Sequence, residues 1–354
     1  MELEFKPDFE EAAERWAAYW RGERFERPLV GIMTLKPGAE PVARPSWMAC
    51  LRDDVGPVID QLLGWAATRE FLGEAIPFYH VFFGPDHLAA LLGAELKVHP
   101  DSPQTSWPEH FVEDWDDASI EVRWDGRWWR RTVECIRAFR RRCDGKVLIS
   151  IPTLQGGLDC LAALRGAEKL LMDMIETPEK VHAALDAVNA AYDEVTRALS
   201  EELDVPRFGS INRHAMYCRG TSNIPQCDIS CMMSPEMFRE FGWQAVAHEA
   251  RTLDAAEYHL DGPDAIKHLE AICEIAEIKA IQWQPGAGEA ATTDWTGLYK
   301  RIDSLGKGHV IYAGPQRIRA LCRELHSPQL YFGTDMGSRK DAEAFLAELG
   351  KIWR

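Results

Sequence analysis

Apolar positions in this sequence recur with two different periods that alternate along the chain. Short apolar runs rich in β-forming residues predict strands, and longer stretches with an apolar residue every third or fourth position predict amphipathic helices. The first predicted helix covers residues 8–22, with Trp16, Tyr19 and Trp20 on its apolar face. The eight predicted strands are residues 29–33, 78–83, 147–152, 207–212, 256–260, 280–284, 309–313 and 330–333.

Eight strands that are each followed by a helix are typical of a (β/α)8 barrel, the α/β fold called the TIM barrel. An open doubly wound sheet is the alternative, but no strand is followed by G-x-G-x-x-G or a P-loop. The first helix is then an N-terminal extension, and residues 97–129 predict a small insertion with a hairpin around residues 124–127. Because the chain shows no repeat and no flexible linker, residues 1–354 are expected to form a single domain.

The balance of charge argues against two classes of partner. The chain has 40 Lys and Arg residues against 56 Asp and Glu residues, so its formal net charge is −16. Such a surface repels phosphate backbones and anionic lipids on average, and we expect neither nucleic acid nor membrane as a partner. The N-terminus lacks the pattern of a secretory signal, and the nine cysteines are scattered singly. These features predict a cytoplasmic protein with reduced thiols.

The sharpest candidate for chemistry ends the fifth predicted strand. Catalytic residues of such barrels lie at the carboxyl ends of the strands, and this strand ends in His259-Leu260-Asp261. Side chains two positions apart on a strand face the same side, and a catalytic zinc ion needs three protein ligands. We predict Asp335 as the third ligand; the other candidates are Glu257, Cys227 and Cys231. The alternative is that Asp261 caps the next helix and His259 is a hydrogen-bonded core residue.

Other residues at the same strand ends are candidates for contact with a substrate. His214 follows the fourth predicted strand and joins His259 and Asp261 as a catalytic candidate. Its neighbour Arg213 suggests contact with an anion, and Trp283 beside Gln284 suggests a ring wall with an amide hydrogen-bonding group. A core position for Trp283 is the alternative. The predicted substrate-binding residues are Asn212, Arg213, Tyr258, Trp283 and Gln284.

Several segments of the second half of the chain resemble one known superfamily. They read Ile-Pro-Thr-Leu at residues 151–154, LRGAEKLL at 164–171, TPEKVH at 177–182 and DISCMMSPEMFREF at 228–241. This pattern is similar to that of the uroporphyrinogen decarboxylase superfamily, from about residue 145 to the end. The resemblance implies the same barrel that the periodicity predicts.

The superfamily's decarboxylases bind the carboxylates of a tetrapyrrole with arginines after the first strand. Residues 31–38 here contain no arginine, Gly157 stands where a Tyr is expected, and Thr334 stands where a His is expected. A substrate with many carboxylates needs several guanidinium groups, so the sequence disfavours that reaction. Zinc-dependent methyltransferases of the superfamily work with corrinoid proteins and usually carry H-x-C where this chain has His259 and Asp261. A harder His and carboxylate set suits an oxygen-bearing substrate.

The first functional hypothesis is therefore a methyltransferase. Zinc held by His259, Asp261 and Asp335 would act as a Lewis acid, and a methyl group would pass between a small O-, N- or S-methylated compound and a corrinoid protein. A second hypothesis is a metal-free lyase or decarboxylase acting on a small carboxylate, with His259 or Asp261 as acid or base and Arg213 or Arg219 holding the carboxylate. A third is a barrel that binds a ligand or corrinoid without catalysis.

Overall fold

The computed structural model describes residues 2–51 and 54–353, which form thirteen strands and fourteen α-helices. The strands are β1 (Leu29–Leu35), β2 (Arg69–Gly73), β3 (Phe78–His80), β4 (Glu95–His99), β5 (Ser102–Glu109), β6 (Leu148–Ser150), β7 (Ser210–Ile211), β8 (Tyr217–Cys218), β9 (Ser222–Asn223), β10 (Ala255–Asp261), β11 (Ile278–Gln284), β12 (Gly308–Tyr312) and β13 (Leu330–Asp335). The helices are α1 (Phe9–Trp20), α2 (Gly56–Ala67), α3 (His87–Leu91), α4 (Arg127–Cys143), α5 (Gly157–Arg165), α6 (Ala167–Glu176), α7 (Pro178–Leu203), α8 (Val205–Phe208), α9 (Pro235–Met237), α10 (Trp243–Arg251), α11 (Leu269–Cys273), α12 (Thr296–Ser304), α13 (Pro315–Glu324) and α14 (Arg339–Ile352).

The central sheet is mostly parallel, with the strand order β2-β1-β13-β12-β11-β10-β9. Only β2 runs antiparallel, against β1. Strands β10 to β13 are each followed by a helix, and adjacent strands of this group pair in parallel. This C-terminal part of the fold, β10 to β13 with their helices, repeats the strand–helix unit that the hydrophobic pattern predicts.

Strands β3, β6, β7 and β8 are short and form a second, less regular group, while β4 and β5 pair only with each other. β3 pairs with β6 in parallel, the Ile151 amide just after β6 donates to the carbonyl of Ile211 in β7 at 3.1 Å, and β7 pairs with β8. In the described part of the chain no ladder joins β1 to β3. The fold is thus a mixed α/β arrangement around a parallel sheet, consistent with a TIM-like barrel, whose hydrogen-bonded sheet does not close.

All eight predicted strands overlap observed strands, but two local predictions were wrong. The predicted strand 207–212 is a strand only at β7, because the one-turn helix α8 includes its first two residues. Pro206 lies in the first turn of α8, and Asp204 and Gly209, which both have positive φ, flank it. The hairpin of the insertion is β4–β5, at residues 95–109. Residues 124–127 instead form the turn that leads into α4, which begins at Arg127.

Helix α1 packs across the sheet through its aromatic face. Trp16 and Tyr19 are fully buried, and the Trp16 ring lies edge-on to Tyr331 of β13 at 4.7 Å. The Trp16 indole donates to the Glu74 carbonyl at 3.1 Å, and the Trp20 indole donates to the Tyr217 carbonyl at 2.7 Å. The N-terminal extension predicted from the sequence is therefore an integral cover of the sheet.

Two further findings bear on the sequence predictions. Among the described residues, no helix is both long and apolar enough to cross a membrane. All nine cysteines are free thiols, most of them buried.

Candidate metal centre and adjoining cavity

Three side chains from two segments converge at the carboxyl end of β10. His259 and Asp261 lie two positions apart on β10 and therefore face the same side. Asp228 begins the short 3₁₀ helix Asp228–Met232. The segment just before this helix runs alongside β10, where the His259 amide donates to the Pro225 carbonyl at 3.1 Å. One ligand atom from each of Asp228, His259 and Asp261 lies within 4.8 Å of the others. Zinc holds each ligand atom at roughly 2 Å, so the three atoms would have to move closer together to bind one ion.

The imidazole of His259 is oriented by the neighbouring strand. Gln282 lies opposite His259 in the β10–β11 register, and its Oε1 is hydrogen-bonded to His259 Nδ1. The Gln282 Nε2 donates to the Trp283 carbonyl at 3.0 Å, which leaves Oε1 as the acceptor. His259 therefore carries its proton on Nδ1, and Nε2 keeps the lone pair that a metal requires.

Asp228 is held from both its side chain and its backbone. Its Oδ2 accepts from Gln155 Nε2 at 3.1 Å and from Gln226 Nε2 at 2.9 Å. Its backbone amide donates to Asp159 Oδ2 at 2.8 Å, and the Ile229 amide donates to Asp159 Oδ1 at 3.0 Å. The second oxygen, Oδ1, is buried and has no hydrogen-bond partner among residues 2–51 and 54–353. A buried carboxylate oxygen without a donor is unusual, and a bound cation would satisfy it.

The electrostatics of the triad also fit a cation. Burial raises the pKa of Asp228 well above its usual range, and the nearby carboxyl groups of Asp159 and Asp261 raise it further. Burial likewise raises the pKa of Asp261, against the opposing effect of Arg213. Burial raises the pKa of Asp159 to about 6. Carboxyl groups this close disfavour one another's charge, and a divalent ion removes that conflict.

A second polar cluster lies beside the triad. The buried Glu257 of β10 accepts through Oε1 from Asn212 Nδ2 at 2.7 Å and from His214 Nδ1 at 3.0 Å. His214 Nε2 then accepts from Arg213 Nε at 3.3 Å. The pKa of His214 lies well below its usual range because of burial and then Arg213, so its imidazole is neutral. Burial raises the pKa of Glu257 to about 8.

One residue links the two clusters. Gln226 accepts from Arg213 Nη2 at 3.1 Å and donates to Asp228 at 2.9 Å. The ring centroids of His214 and His259 are 5.8 Å apart. The two clusters are therefore joined by one amide and one ring contact.

A cavity of about 510 Å³ adjoins the second cluster. Arg213 and His214 form one part of its wall, and the ends of β12 and β13 form another. Six aromatic side chains and a second arginine, Arg44, also line it. The aromatic residues are Trp47, Trp65, Phe71, Phe78, Tyr312 and Tyr331. A space of this volume with ring walls and few polar groups is typical of a small-molecule site.

The structure brings some of the predicted site residues together and separates others. His259 and Asp261 meet, whereas Asp335, predicted as their third partner, ends β13 and lines the cavity. Asn212 lies in the Glu257 cluster and Arg213 and His214 line the cavity wall. Asp335 is thus outside the converging group, and Asp228 is its third member.

Three of the residues predicted to bind substrate do not line the cavity. Tyr258 is 1% exposed and packs in the main hydrophobic core, because it alternates with His259 and points to the other face of β10. Trp283 is 5% exposed and packs edge-on against Trp295 at 4.9 Å, so its core alternative describes it better. Gln284 ends β11 with an exposed side chain.

Sequence reasoning missed Asp228 as a candidate ligand and Arg44 as a cavity residue. Asp228 stands at the start of the D…SPE segment that carries the superfamily resemblance, and that position was the available signal. Arg44 lies outside residues 31–38, in an irregular loop for which periodicity gives no position. The cysteines Cys227 and Cys231 do not join the triad.

Comparison with known proteins yields a likeness of fold. No protein-family model matches the chain, and no curated protein sequence matches it. Among solved structures, the chain is similar to a methyltransferase from Methanosarcina mazei, with a TM-score of 0.61 and 12% sequence identity. The similarity covers 97% of this chain and 99% of the other. At this level of identity the likeness is one of fold along nearly the whole chain.

Proposed function

We propose that the protein is a methyltransferase of the uroporphyrinogen decarboxylase superfamily, built on a single TIM-barrel domain in the cytoplasm. A zinc ion held by Asp228, His259 and Asp261 would serve as Lewis acid. The methyl group would pass between a small O-, N- or S-methylated compound in the cavity and a corrinoid protein. The observation that carries the proposal is the convergence of the three ligand groups, with an orphaned Asp228 oxygen, beside a ring-lined cavity.

The residues of the site would divide the work as follows. His259 Nε2, Asp228 Oδ1 and one oxygen of Asp261 would bind the zinc and leave one position open for substrate. When bound, zinc polarises the heteroatom that carries the methyl group. Gln282 would keep His259 in the ligating tautomer, and Gln155 and Gln226 would keep Asp228 from rotating.

Neighbouring groups would prepare the cavity side of the site. His214 stays neutral, so the wall next to the zinc would carry one positive charge, on Arg213. That charge would offset part of the negative charge of Asp228 and Asp261. The fold likeness to a methyltransferase and the sequence resemblance both support this reaction class.

The first test is metal content. Protein purified with added zinc should hold about one zinc ion per chain, and His259→Ala should lose it. His326→Ala is the matched control, because His326 is an exposed histidine outside the site. A wild-type protein that stays metal-free after zinc is supplied would contradict the proposal.

The second test is methyl transfer. Loaded enzyme is incubated with free cob(I)alamin as acceptor and a panel of methoxy, N-methyl and S-methyl compounds. Consumption of cob(I)alamin, followed by absorbance, should require both a methylated compound and the metal. Turnover that is equal in His259→Ala and wild type would exclude the Lewis-acid role.

A metal-free lyase or decarboxylase is the second candidate. It is favoured by one observation: burial raises the pKa of both Asp228 and Asp261, which could supply a protonated carboxyl group near Arg213. A general acid needs such a raised pKa. Release of carbon dioxide from a small carboxylate by metal-free protein would favour this candidate over methyl transfer.

A further inference from the structure

One arginine of the cavity wall has no counter-charge. Arg44 lies in the loop after β1, and its Nη2 donates to the Phe78 carbonyl at 2.8 Å. Its Nε is buried without a hydrogen-bond partner, and no ion pair to an Asp or Glu is formed within residues 2–51 and 54–353. The guanidinium carbon lies 4.9 Å from the Trp65 ring centre, 4.8 Å from that of Phe78 and 5.6 Å from that of Trp47.

This arginine remains a cation despite its surroundings. Burial lowers the pKa of Arg44 to about 10, which still leaves it charged at neutral pH. Aromatic faces attract a guanidinium, but they do not use its N–H donors. A guanidinium has five donors, and one carbonyl satisfies only a fraction of them. Arg44 is therefore prepared for an acceptor that the described chain does not supply.

The second cavity arginine is differently placed. Arg213 donates to Gln226 and His214 and is attracted first to Glu257 and then to Asp228. Its side chain thus lies among the acidic groups of the second cluster and of the triad. Arg44 is the lining cation that is left for a ligand, and Asp335 is the lining carboxylate. This balance suits a monoanion such as a carboxylate better than a phosphate dianion, which would call for more cationic donors.

The rings around Arg44 define the shape of the rest of the ligand. Two glycines let tyrosine rings lie against the strands: a Cβ at Gly31 would be 2.7 Å from the Tyr331 hydroxyl oxygen, and one at Gly333 would be 2.5 Å from the Tyr312 ring. Together with Trp47 and Trp65 these rings line the cavity. Flat ring walls favour a planar, apolar ligand body by offset or edge-on stacking.

We propose that the cavity binds an aromatic carboxylic acid, with its carboxylate on Arg44 and its ring against the surrounding aromatic side chains. This inference names the substrate class of the proposed methyltransferase and rests on that function. The binding step itself needs only the cavity. It can therefore be tested on protein that has no metal.

The test compares each methoxybenzoate isomer with the matching uncharged methoxybenzamide, by titration calorimetry. Wild-type protein should bind at least one acid roughly ten-fold or more tightly than its amide, the scale of a charge-assisted hydrogen bond. Arg44→Gln should abolish this preference. Arg130→Gln, which removes an exposed arginine of α4, should retain it. Equal binding of acid and amide by wild type, or no binding of either, would overturn the proposal.

His259→Ala separates this inference from the proposed function. If Arg44 holds the carboxylate, metal-free His259→Ala keeps the preference for the acid even where methyl transfer fails. In a parallel titration of protein supplied with zinc, a preference that disappears in His259→Ala and survives in Arg44→Gln would mean that the carboxylate binds the metal, and Arg44 would lose its assigned role. Arg44→Lys serves if the glutamine variant does not fold: it keeps the cation without the fork, and its preference should fall several-fold. An unchanged preference in Arg44→Lys would show that the charge alone, and not the guanidinium geometry, holds the carboxylate.

Discussion

Arg27 is buried and Arg44 is partly buried, and the two arginines have different partners. Arg27 forms a two-point ion pair with Glu74, with Nη1–Oε2 and Nη2–Oε1 distances of 2.8 Å. Although burial opposes it, Glu74 raises the pKa of Arg27 above its ordinary value. Arg44 has no such partner, and burial lowers its pKa to about 10.

The carboxylates show the same contrast. Glu74 is nearly fully buried, and besides pairing with Arg27 it accepts from the Val30 amide at 2.7 Å. Asp228 keeps a buried oxygen without a donor. Charges that are satisfied within the chain stabilise the fold, whereas charges that are left unsatisfied mark where a ligand or ion is expected. By this criterion, the Arg27–Glu74 pair at the start of β1 is structural, whereas Asp228 and Arg44 belong to the candidate site.

The largest effect is expected where a satisfied pair is broken. Glu74→Gln should lower the free energy of unfolding by about 3–5 kcal/mol, because it leaves the buried Arg27 without its counter-charge. Urea denaturation measures this directly. Glu343→Gln is the control, since Glu343 pairs with Arg339 on the surface, and its loss should be below about 1 kcal/mol. Similar losses for the two variants would remove the distinction drawn above.

Asp228→Asn should act in opposite directions on stability and on metal binding. Zinc affinity should fall by more than about 100-fold, since removing a ligand exceeds the 10–100-fold cost of losing an outer partner. The metal-free variant should be at least as stable as wild type at pH 7. The pKa of Asp228 is raised in the folded protein, so its stabilising contribution is complete below about pH 4 and is lost as pH rises. The advantage of the variant should therefore grow between pH 4 and pH 7.

Metal titration and thermal unfolding across that pH range check both halves. A variant that is less stable than metal-free wild type at pH 7 would show that Asp228 is a structural residue. Unchanged zinc affinity would remove it from the triad.

Gln282→Leu should have a smaller effect on the same centre. The change removes the acceptor that fixes His259 Nδ1 and keeps a side chain of similar volume. Zinc affinity should fall roughly 10- to 100-fold. Gln284→Leu, two residues further on with an exposed side chain, should leave it unchanged. An equal loss in both variants would mean that the substitutions disturb β11 itself, and not the tautomer of His259.

The sequence predicted the strands well because hydrophobic period depends on local neighbours, and it placed His259 and Asp261 together because two residues on one strand need no tertiary information. It could not rank partners from distant segments. Asp335 ends a strand three places from β10 in the sheet order, about 14 Å along the sheet at ordinary strand spacing. Asp228 reaches the site through an irregular segment that lies along β10.

The loop that carries Arg44 illustrates the same limit. No regular pattern of apolar residues spans it, and its position depends on the Phe78 carbonyl and on the rings of Trp47 and Trp65. A search for arginines directly after the first strand therefore passes over it. Whether a charge is paired, the property that separates Arg27 from Arg44, is a tertiary feature that the order of residues does not express.

The smallest effects are expected from a pair of tyrosine variants that test which face of the sheet binds ligand. Tyr312→Phe removes a hydroxyl that donates to the His214 carbonyl at 2.6 Å on the cavity wall, and methoxybenzoate affinity should fall several-fold. Tyr258→Phe removes a hydroxyl on the core side of β10 and should leave that affinity within about two-fold, with at most about 1 kcal/mol lost in stability. Calorimetric titration of both variants provides the comparison. A larger loss of affinity in Tyr258→Phe than in Tyr312→Phe would place the ligand on the opposite face of β10, where the unpaired Arg44 could not reach it.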